Sequence, residues 1–288
     1  MIEVTELTKK FPKFILQNVS FSLPAGYIMG LVGENGAGKT TLLRILSGLY
    51  TEDQGTASLF GKTYEEAEPE IKDRIGTVFH EEFFDEYDTL EGNAGRWGAY
   101  YTHYDSRLFL SYAKRFQLDV DQKVKRLSKG EYLKFSLAFA LSHQPELLIL
   151  DEPSANFDRD FQKEFQKVLQ EFIADGAHSV ILSTHQTEDL EAFADYLLML
   201  KNGRQLLFGD LETIRKKYRM VQGEEYKLKL IKKDQVLYME KGEFSCQALV
   251  KNSAWPFDPV LKLREPTIAE IMYAFHQAEK GRNNPWKA

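Results

Sequence analysis

Gly33-Glu34-Asn35-Gly36-Ala37-Gly38-Lys39-Thr40 is a segment suited to holding phosphate. It fits Gly-x-x-x-x-Gly-Lys-[Ser/Thr]. An apolar run, Tyr27-Ile28-Met29-Gly30-Leu31-Val32, precedes it, and a segment of helical character, Thr41-Leu42-Leu43-Arg44-Ile45-Leu46, follows. Strand, glycine-rich turn and helix are the context in which this pattern has a mechanism. The glycines let backbone N–H groups curl around phosphate oxygens, because no Cβ blocks the required dihedrals. The helix start adds partial positive charge at the same place. On this reading Gly33, Glu34, Asn35, Gly36, Ala37, Gly38, Lys39, Thr40 and Thr41 surround a polyphosphate. Lys39 brings a full charge to its terminal phosphates, and the Thr40 hydroxyl is placed for Mg²⁺.

A second constellation is Leu147-Leu148-Ile149-Leu150-Asp151-Glu152. A buried parallel strand explains the leucines. It does not explain two carboxylates at the C-terminal end, where ligand sites of α/β proteins form. Asp151 is placed to hold Mg²⁺ through water. Glu152 points the other way along the pleat, where it can polarise an attacking water. A third segment, Leu127-Ser128-Lys129-Gly130-Glu131, precedes a helix over residues 132–142. A Ser-x-Gly turn at a helix start presents donors to an anion. A plain serine N-cap has the same look.

Such residues need an α/β frame to bring them together. Residues 1–60 are strand-rich, with apolar or alternating runs at 14–16, 19–23 and 57–60 punctuated by turns at 24–26 and 52–55. Residues 85–143 follow helical spacing, for example Leu108, Tyr112 and Phe116, then Leu133, Leu137, Ala140 and Leu141. Strands return at 147–150, 179–182 and 196–200, with helices expected over 160–174 and 188–194. Lys201-Asn202-Gly203-Arg204, between two apolar runs, signals a hairpin. Alternating strands and helices imply a largely parallel sheet covered on both faces, with 85–143 as a helical insertion. After about residue 218 the pattern changes. Residues 226–231 alternate like a half-exposed strand, 236–239 and 247–250 are candidate partners, and 267–279 is an amphipathic helix after Pro266. The tail 280–288 is expected to fray.

The 288 residues allow one large domain or one domain with a small appendage. An apolar fraction of 43% supports a sizeable core. Net charge is 37 − 43 = −6, which argues against a general nucleic-acid binder. A single cysteine, Cys246, excludes an intramolecular disulfide framework and fits a reducing cytosol. No signal peptide and no run of eighteen apolar residues is visible, so any membrane work would need another chain to do the spanning.

The order of these motifs resembles the ATP-binding subunits of ABC transporters, over Met1 to about Lys217. The resemblance implies an α/β P-loop NTPase of the ABC type, residues 1–217, with its helical insertion at about 85–143. A small α+β extension, 218–288, would follow. It implies ATP and Mg²⁺ as ligands, with Thr40, Asp151 and His80 toward the metal. Glu152, His185 and Lys39 are implied as catalytic, His185 being the family's switch histidine at a strand end. Phe11 sits where the family places an aromatic against adenine. Ser154-Ala155-Asn156-Phe157-Asp158 fits the D-loop, with Asp158 retained. Ser128 and Gly130 of the signature would touch the γ-phosphate from an opposite subunit. Lys129 and Glu131 depart from the family's Leu-Ser-Gly-Gly-Gln, and His80 stands where the Q-loop glutamine is usual.

The implied partners are a separate transmembrane permease subunit and a second ATPase subunit, identical or related, with no nucleic acid. The implied activity is ATP hydrolysis powering transport, in the manner of antibiotic or peptide exporters, at the cytoplasmic face of the cell membrane. Aromatics at Phe83, Phe84, Tyr87, Trp97, Tyr100 and Tyr101 offer a groove for a partner helix. Two other readings compete. One is a soluble ABC-type ATPase acting on nucleic acid or the ribosome, which the charge disfavours. The other is a non-hydrolysing regulatory subunit, which Lys129, Glu131 and His80 allow. Histidine retains metal-binding and hydrogen-bonding capacity, so activity is expected to persist at His80 but to vary with pH. A pH–rate profile that is the same in His80→Gln removes that expectation.

Overall fold

A computed structural model describes residues 1–185, 187–242, 245–252 and 260–279. The expected fraying at 280–288 lies outside the described residues. Strands β1 (Ile2–Phe11), β2 (Phe14–Leu23) and β3 (Ile28–Val32) lead into helix α1 (Lys39–Leu46), then β4 (Gln54–Leu59), α2 (Tyr64–Asp73) and β5 (Ile75–Val78). The insertion holds α3 (Leu90–Gly98), α4 (Ser106–Arg115) and α5 (Lys129–Ser142). The frame resumes with β6 (Leu147–Asp151), α6 (Arg159–Ile173), β7 (Ser179–Thr184), α7 (Thr187–Leu190), β8 (Tyr196–Lys201), β9 (Arg204–Asp210) and α8 (Leu211–Lys217). The C-terminal part adds β10 (Tyr218–Gly223), α9 (Glu225–Leu228), β11 (Val236–Lys241), β12 (Cys246–Lys251), β13 (Lys262–Arg264) and α10 (Ile268–Glu279).

Nine strands form one sheet in the order β4-β1-β2-β9-β8-β3-β7-β6-β5. From β8 through β5 the strands run parallel, while β1 is antiparallel to both its neighbours, β4 and β2. Side chains of the central strands alternate between two apolar layers. Ile28 and Val32 of β3 face one layer with Leu148, Leu150, Val180, Leu182, Leu197 and Met199. Met29 and Leu31 face the other with Leu147, Ile149, Ile181, Leu198 and Leu200. The two-residue period of a strand thus buries both faces, as a parallel sheet requires. The β8–β9 hairpin turns at Asn202 (φ 48°) and Gly203 (φ 74°), the two positive φ values of a type I′ turn. A Cβ on Gly203 would lie 1.8 Å from the Ile15 carbonyl oxygen, so only glycine fits against β2.

Three sequence expectations are corrected. Residues 226–231 form no strand: Glu225–Leu228 is helical, Leu228 and Ile231 are buried three apart, and Leu230 is 70% exposed. An ion pair between Glu225 and Lys229, one turn apart, supports the helix. β11 and β12 pair with each other, and the place expected for 226–231 on the other side of β12 is taken by β10, a strand without a clear mark in the sequence. The helix expected over 188–194 is one turn, α7. The chain then turns sharply into β8, held where the Asp195 carboxylate accepts the Ile28 N–H at 2.9 Å. In α4 the buried stripe is Phe109, Ala113 and Phe116, one step round from Leu108 and Tyr112, which are half-buried.

His143 caps the C-terminus of α5. Its ring stacks on Tyr101 at 3.9 Å, and its Nε2–H donates to the Ile75 carbonyl at 3.1 Å. Burial pushes this imidazole down from 6.5 to about 4. Between those values the unfolded chain binds a proton that the folded chain refuses, so stability falls as pH drops through the window. The loss is ~3 kcal/mol once both limits are crossed. Urea midpoints measured from pH 7 to pH 4 are expected to decline less steeply in His143→Phe than in the parent.

Candidate functional site

The parallel strands carry their C-terminal ends to one edge. Val32 of β3 pairs with Thr184 of β7, and Asp151 of β6 pairs with Ser183. The glycine-rich loop leaves β3 there and enters α1 through Gly38, whose φ of 108° favours glycine. The first turn of α1 contains no acidic residue, and no side chain caps it, so its N–H groups face outward for an anion.

A cleft of about 400 Å³ opens on this loop, lined by Phe14, Asn35, Gly36, Ala37, Gly38, Lys39, Thr40, Thr41 and Glu152. Gly33 and Glu34 are not part of the lining: Gly33 is buried and Glu34 is exposed. The Gly33 carbonyl accepts from Lys39 Nζ at 2.8 Å. Lys39 is buried and also pairs with Glu152 Oε1 at 3.2 Å. The other oxygen, Oε2, lies 2.7 Å from His185 Nδ1 and accepts the His185 backbone N–H at 3.3 Å. Lys39, Glu152 and His185 are therefore one connected chain. β6 ends at Asp151, so Glu152 does not continue the pleat as the sequence suggested. It turns into the left-handed region (φ 49°, ψ 43°), a conformation that costs a non-glycine residue on the order of 1 kcal/mol. Ser183 holds that corner: its carbonyl and its hydroxyl accept from Glu152 N–H at 3.1 and 3.0 Å.

Asp151 is 5% exposed and takes hydroxyl donors on both oxygens, from Thr40 at 2.7 Å and from Ser183 at 2.5 Å. A hydroxyl and a carboxylate converging beside a phosphate loop are hard oxygen donors, the set Mg²⁺ takes alongside substrate phosphates. Thr40 and Asp151 thus fit the ion. His80 is exposed, lines no part of the cleft and bonds to neither of them.

The other expected residues lie elsewhere. Ser128 and Gly130 are not part of the cleft lining. Ser128 caps α5, its hydroxyl accepting from Glu131 N–H at 3.2 Å while Glu131 Oε2 accepts from Ser128 N–H at 2.8 Å. Glu131 therefore completes a capping box, and the Ser128 N–H holds its carboxyl below the ordinary range. Asp158 caps α6 through Phe161 N–H at 2.8 Å, which lowers its pKa, and it lies 3.5 Å from Lys134. Phe11 packs edge-on against Tyr50 at 5.6 Å and near Phe14 at 6.4 Å. Of the aromatic group, Phe84 is core, 4.4 Å from the Phe135 ring, and Tyr101 covers His143. Phe83, Tyr87, Trp97 and Tyr100 are exposed.

Sequence reasoning missed Phe14 and Ser183. The signal for Ser183 was available: it sits beside Asp151 once two neighbouring parallel strands are aligned by their apolar runs. It also missed the bracing of the segment around His80. Arg44 of α1 pairs with Glu81, and the Tyr132 hydroxyl of α5 accepts from Phe83 N–H at 3.0 Å.

The ABC transporter family profile matches residues 16–155. Over 215 residues the chain is 32% identical to Nod factor export ATP-binding protein I of Burkholderia lata, covering 72% of this chain and 70% of that one. It is 34% identical over 235 residues to an uncharacterised ABC transporter ATP-binding protein of Methanocaldococcus jannaschii, covering 81% and 86%. A solved structure of an ATP-binding subunit of an ABC transporter superposes with a TM-score of 0.70 at 26% identity, across 75% of this chain and 92% of that one. The phosphate cleft, the frame behind it and these likenesses agree: the chain belongs to the ATP-binding subunits of ABC transporters.

Proposed function

We propose that this subunit hydrolyses ATP as one half of a dimer, with a second copy or a related ATPase subunit, and powers outward transport through a separate membrane-spanning subunit. The chain Lys39–Glu152–His185, beside Thr40–Asp151, is the observation that carries this reading. Glu152 is held by a cation on one side and an imidazole on the other. Arrival of a triphosphate gives Lys39 a stronger anionic partner and releases one oxygen of Glu152. That oxygen then accepts the proton of an attacking water, while His185 fixes the carboxylate's orientation. Mg²⁺, held by Thr40 and Asp151, would offset charge on the transferred phosphoryl group.

Ser128 and Gly130 stand apart from the cleft of their own chain, which supports their use against a nucleotide on another. Phe83, Trp97 and Tyr100 make a run of exposed aromatic contacts, 6.3 and 6.1 Å between centroids, beside the braced segment after β5. A helix of the membrane subunit docking there would sense the segment that Arg44 and Tyr132 tie to α1 and α5. The relative from Burkholderia lata, named for export, supports the outward direction. Docking would place the subunit at the cytoplasmic face of the membrane. Among the described residues no helix is long and apolar enough to cross one.

Replacing Glu152 with Gln is expected to slow hydrolysis about 100-fold or more while ATP binding persists and a dimer accumulates on gel filtration. Hydrolysis at the parent rate refutes the assignment of the base, and a monomer under saturating ATP, even with the membrane subunit supplied, refutes the dimer. Lys39→Ala is expected to weaken ATP binding about tenfold or more, the scale of a lost charge-assisted hydrogen bond. Unchanged affinity by equilibrium dialysis removes Lys39 from its role.

A further inference from the structure

Helix α10, near the far end of the chain, reaches the phosphate loop. His276 is buried on it, and its Nδ1 lies 3.2 Å from Glu34 Oε1. The backbone carbonyl of His276 accepts from Lys201 Nζ at 2.8 Å, and Lys201 is the buried last residue of β8. The start of the helix is fixed as well. Ile268 N–H donates to the Glu191 carboxylate, which also pairs with Arg215 of α8. Between these ties, Ile268 and Ile271 pack in the same apolar layer as Ile28 and Val32, the strand that feeds the loop. Both ends and one face of α10 are therefore set relative to the nucleotide site.

The contact bears on a difficulty within the loop. Glu34 puts a carboxylate in a segment that must attract phosphate. Turned toward the cleft, that charge would repel an incoming anion where Lys39 attracts it, an effect that the half-exposed position of Glu34 reduces but does not remove. Glu34 cannot leave, because its carbonyl accepts the Ala37 N–H at 3.0 Å and so forms part of the loop's curl. Its side chain can only be turned aside and given a partner. His276 does this: the carboxylate is held against α10 and is absent from the cleft lining.

We propose that His276 is a positioning residue for the phosphate loop, holding Glu34 aside so that nucleotide affinity is set in part from the C-terminal helix. This rests on the nucleotide site alone and needs neither hydrolysis nor dimerisation. The test uses the full chain and a fluorescent, non-hydrolysable ATP analogue with Mg²⁺ at fixed pH and salt. His276→Ala is expected to weaken binding about fivefold, while in a Glu34→Gln background the same substitution changes affinity less than about twofold. KM for ATP rises with it and kcat stays within about twofold, the split expected when binding rather than chemistry is disturbed. His276→Gln, which keeps a donor for Glu34, is expected to recover most of the loss. If His276→Ala does not fold, His276→Leu carries the same comparison. An equal loss in both backgrounds, or no loss in either, overturns the proposal and leaves the Glu152 reading standing.

Discussion

The nucleotide site depends on the register of three parallel strands. β3 delivers the glycine-rich loop, β6 delivers the two acids, and β7 lies between them carrying Ser183 and His185's approach. A shift of one residue in any of them exchanges its faces. Asp151 would then leave the Thr40 and Ser183 hydroxyls, and a carboxylate would enter an apolar layer. The cost of burying that unpaired carboxylate forbids the shift, and the fully buried runs hold the strands in the sheet. Leu147, Leu148, Ile149 and Leu150 are all inaccessible, as are Val180 and Ile181. Each is worth roughly 1.5–3 kcal/mol of burial. The same residues that build the core therefore fix the chemistry at its edge.

Electrostatics at that edge follows from burial. Lys39 and Asp151 are nearly inaccessible, and a buried charge that loses its partner costs several kcal/mol. Each is accordingly held more than once: Lys39 by the Gly33 carbonyl and Glu152, Asp151 by two hydroxyls. Glu152 is the less buried member, with 17% of its side chain exposed. It is also bound to His185, which is half-exposed. Exchange of partners is easiest at this more exposed end of the chain, as the proposed role of Glu152 requires. The left-handed backbone of Glu152 suits the same role. It directs the carboxylate back over the loop, where an extended residue would continue along β6 and point away.

Much of this was legible in the sequence wherever the signal was local. The glycine-rich loop, the acid pair after four apolar residues and the Asn202-Gly203 turn each state their structure within ten residues. The elements that escaped have no such local mark. In β1 the alternation breaks at Thr5-Glu6, where Glu6 has φ 47° and the register shifts, and its pairing with β4 joins residues far apart in the chain, such as Ile2 and Leu59. Residues 226–231 carry both an alternating and a three-residue spacing, and only tertiary burial of Leu228 and Ile231 chooses between them. The Ser128-Lys129-Gly130 turn allows both an anion site and a plain serine N-cap, and within this chain the N-cap is what forms. The capping box shows why a carboxylate at Glu131 is stable: it accepts the Ser128 N–H that the helix start leaves unpaired. The contact of His276 with Glu34 spans almost the whole chain, and no pattern in either segment announces it.

That contact changes how the C-terminal part should be understood energetically. Composition and pattern mark a break near residue 218, and the second sheet, β11-β12-β10-β13, does start there. Yet α10, which follows that sheet in the chain, lies against two cores at once. Ile268 and Ile271 are fully buried in the layer that also contains α5 and β3, while Ala274 faces Met220, Tyr238 and Leu249 of the second sheet. Removing the helix would expose two isoleucines' worth of apolar surface on the ATPase core, at about 1.5–3 kcal/mol each. It would also leave Glu191, Lys201 and Glu34 without the groups on α10 that they now engage. Against a typical total stability of about 5–15 kcal/mol, that is too large a fraction for α10 to be a dispensable appendage. The helix belongs to the core around the phosphate loop in energy although it belongs to the extension in sequence, because its burial and its polar ties lie on both sides of the break.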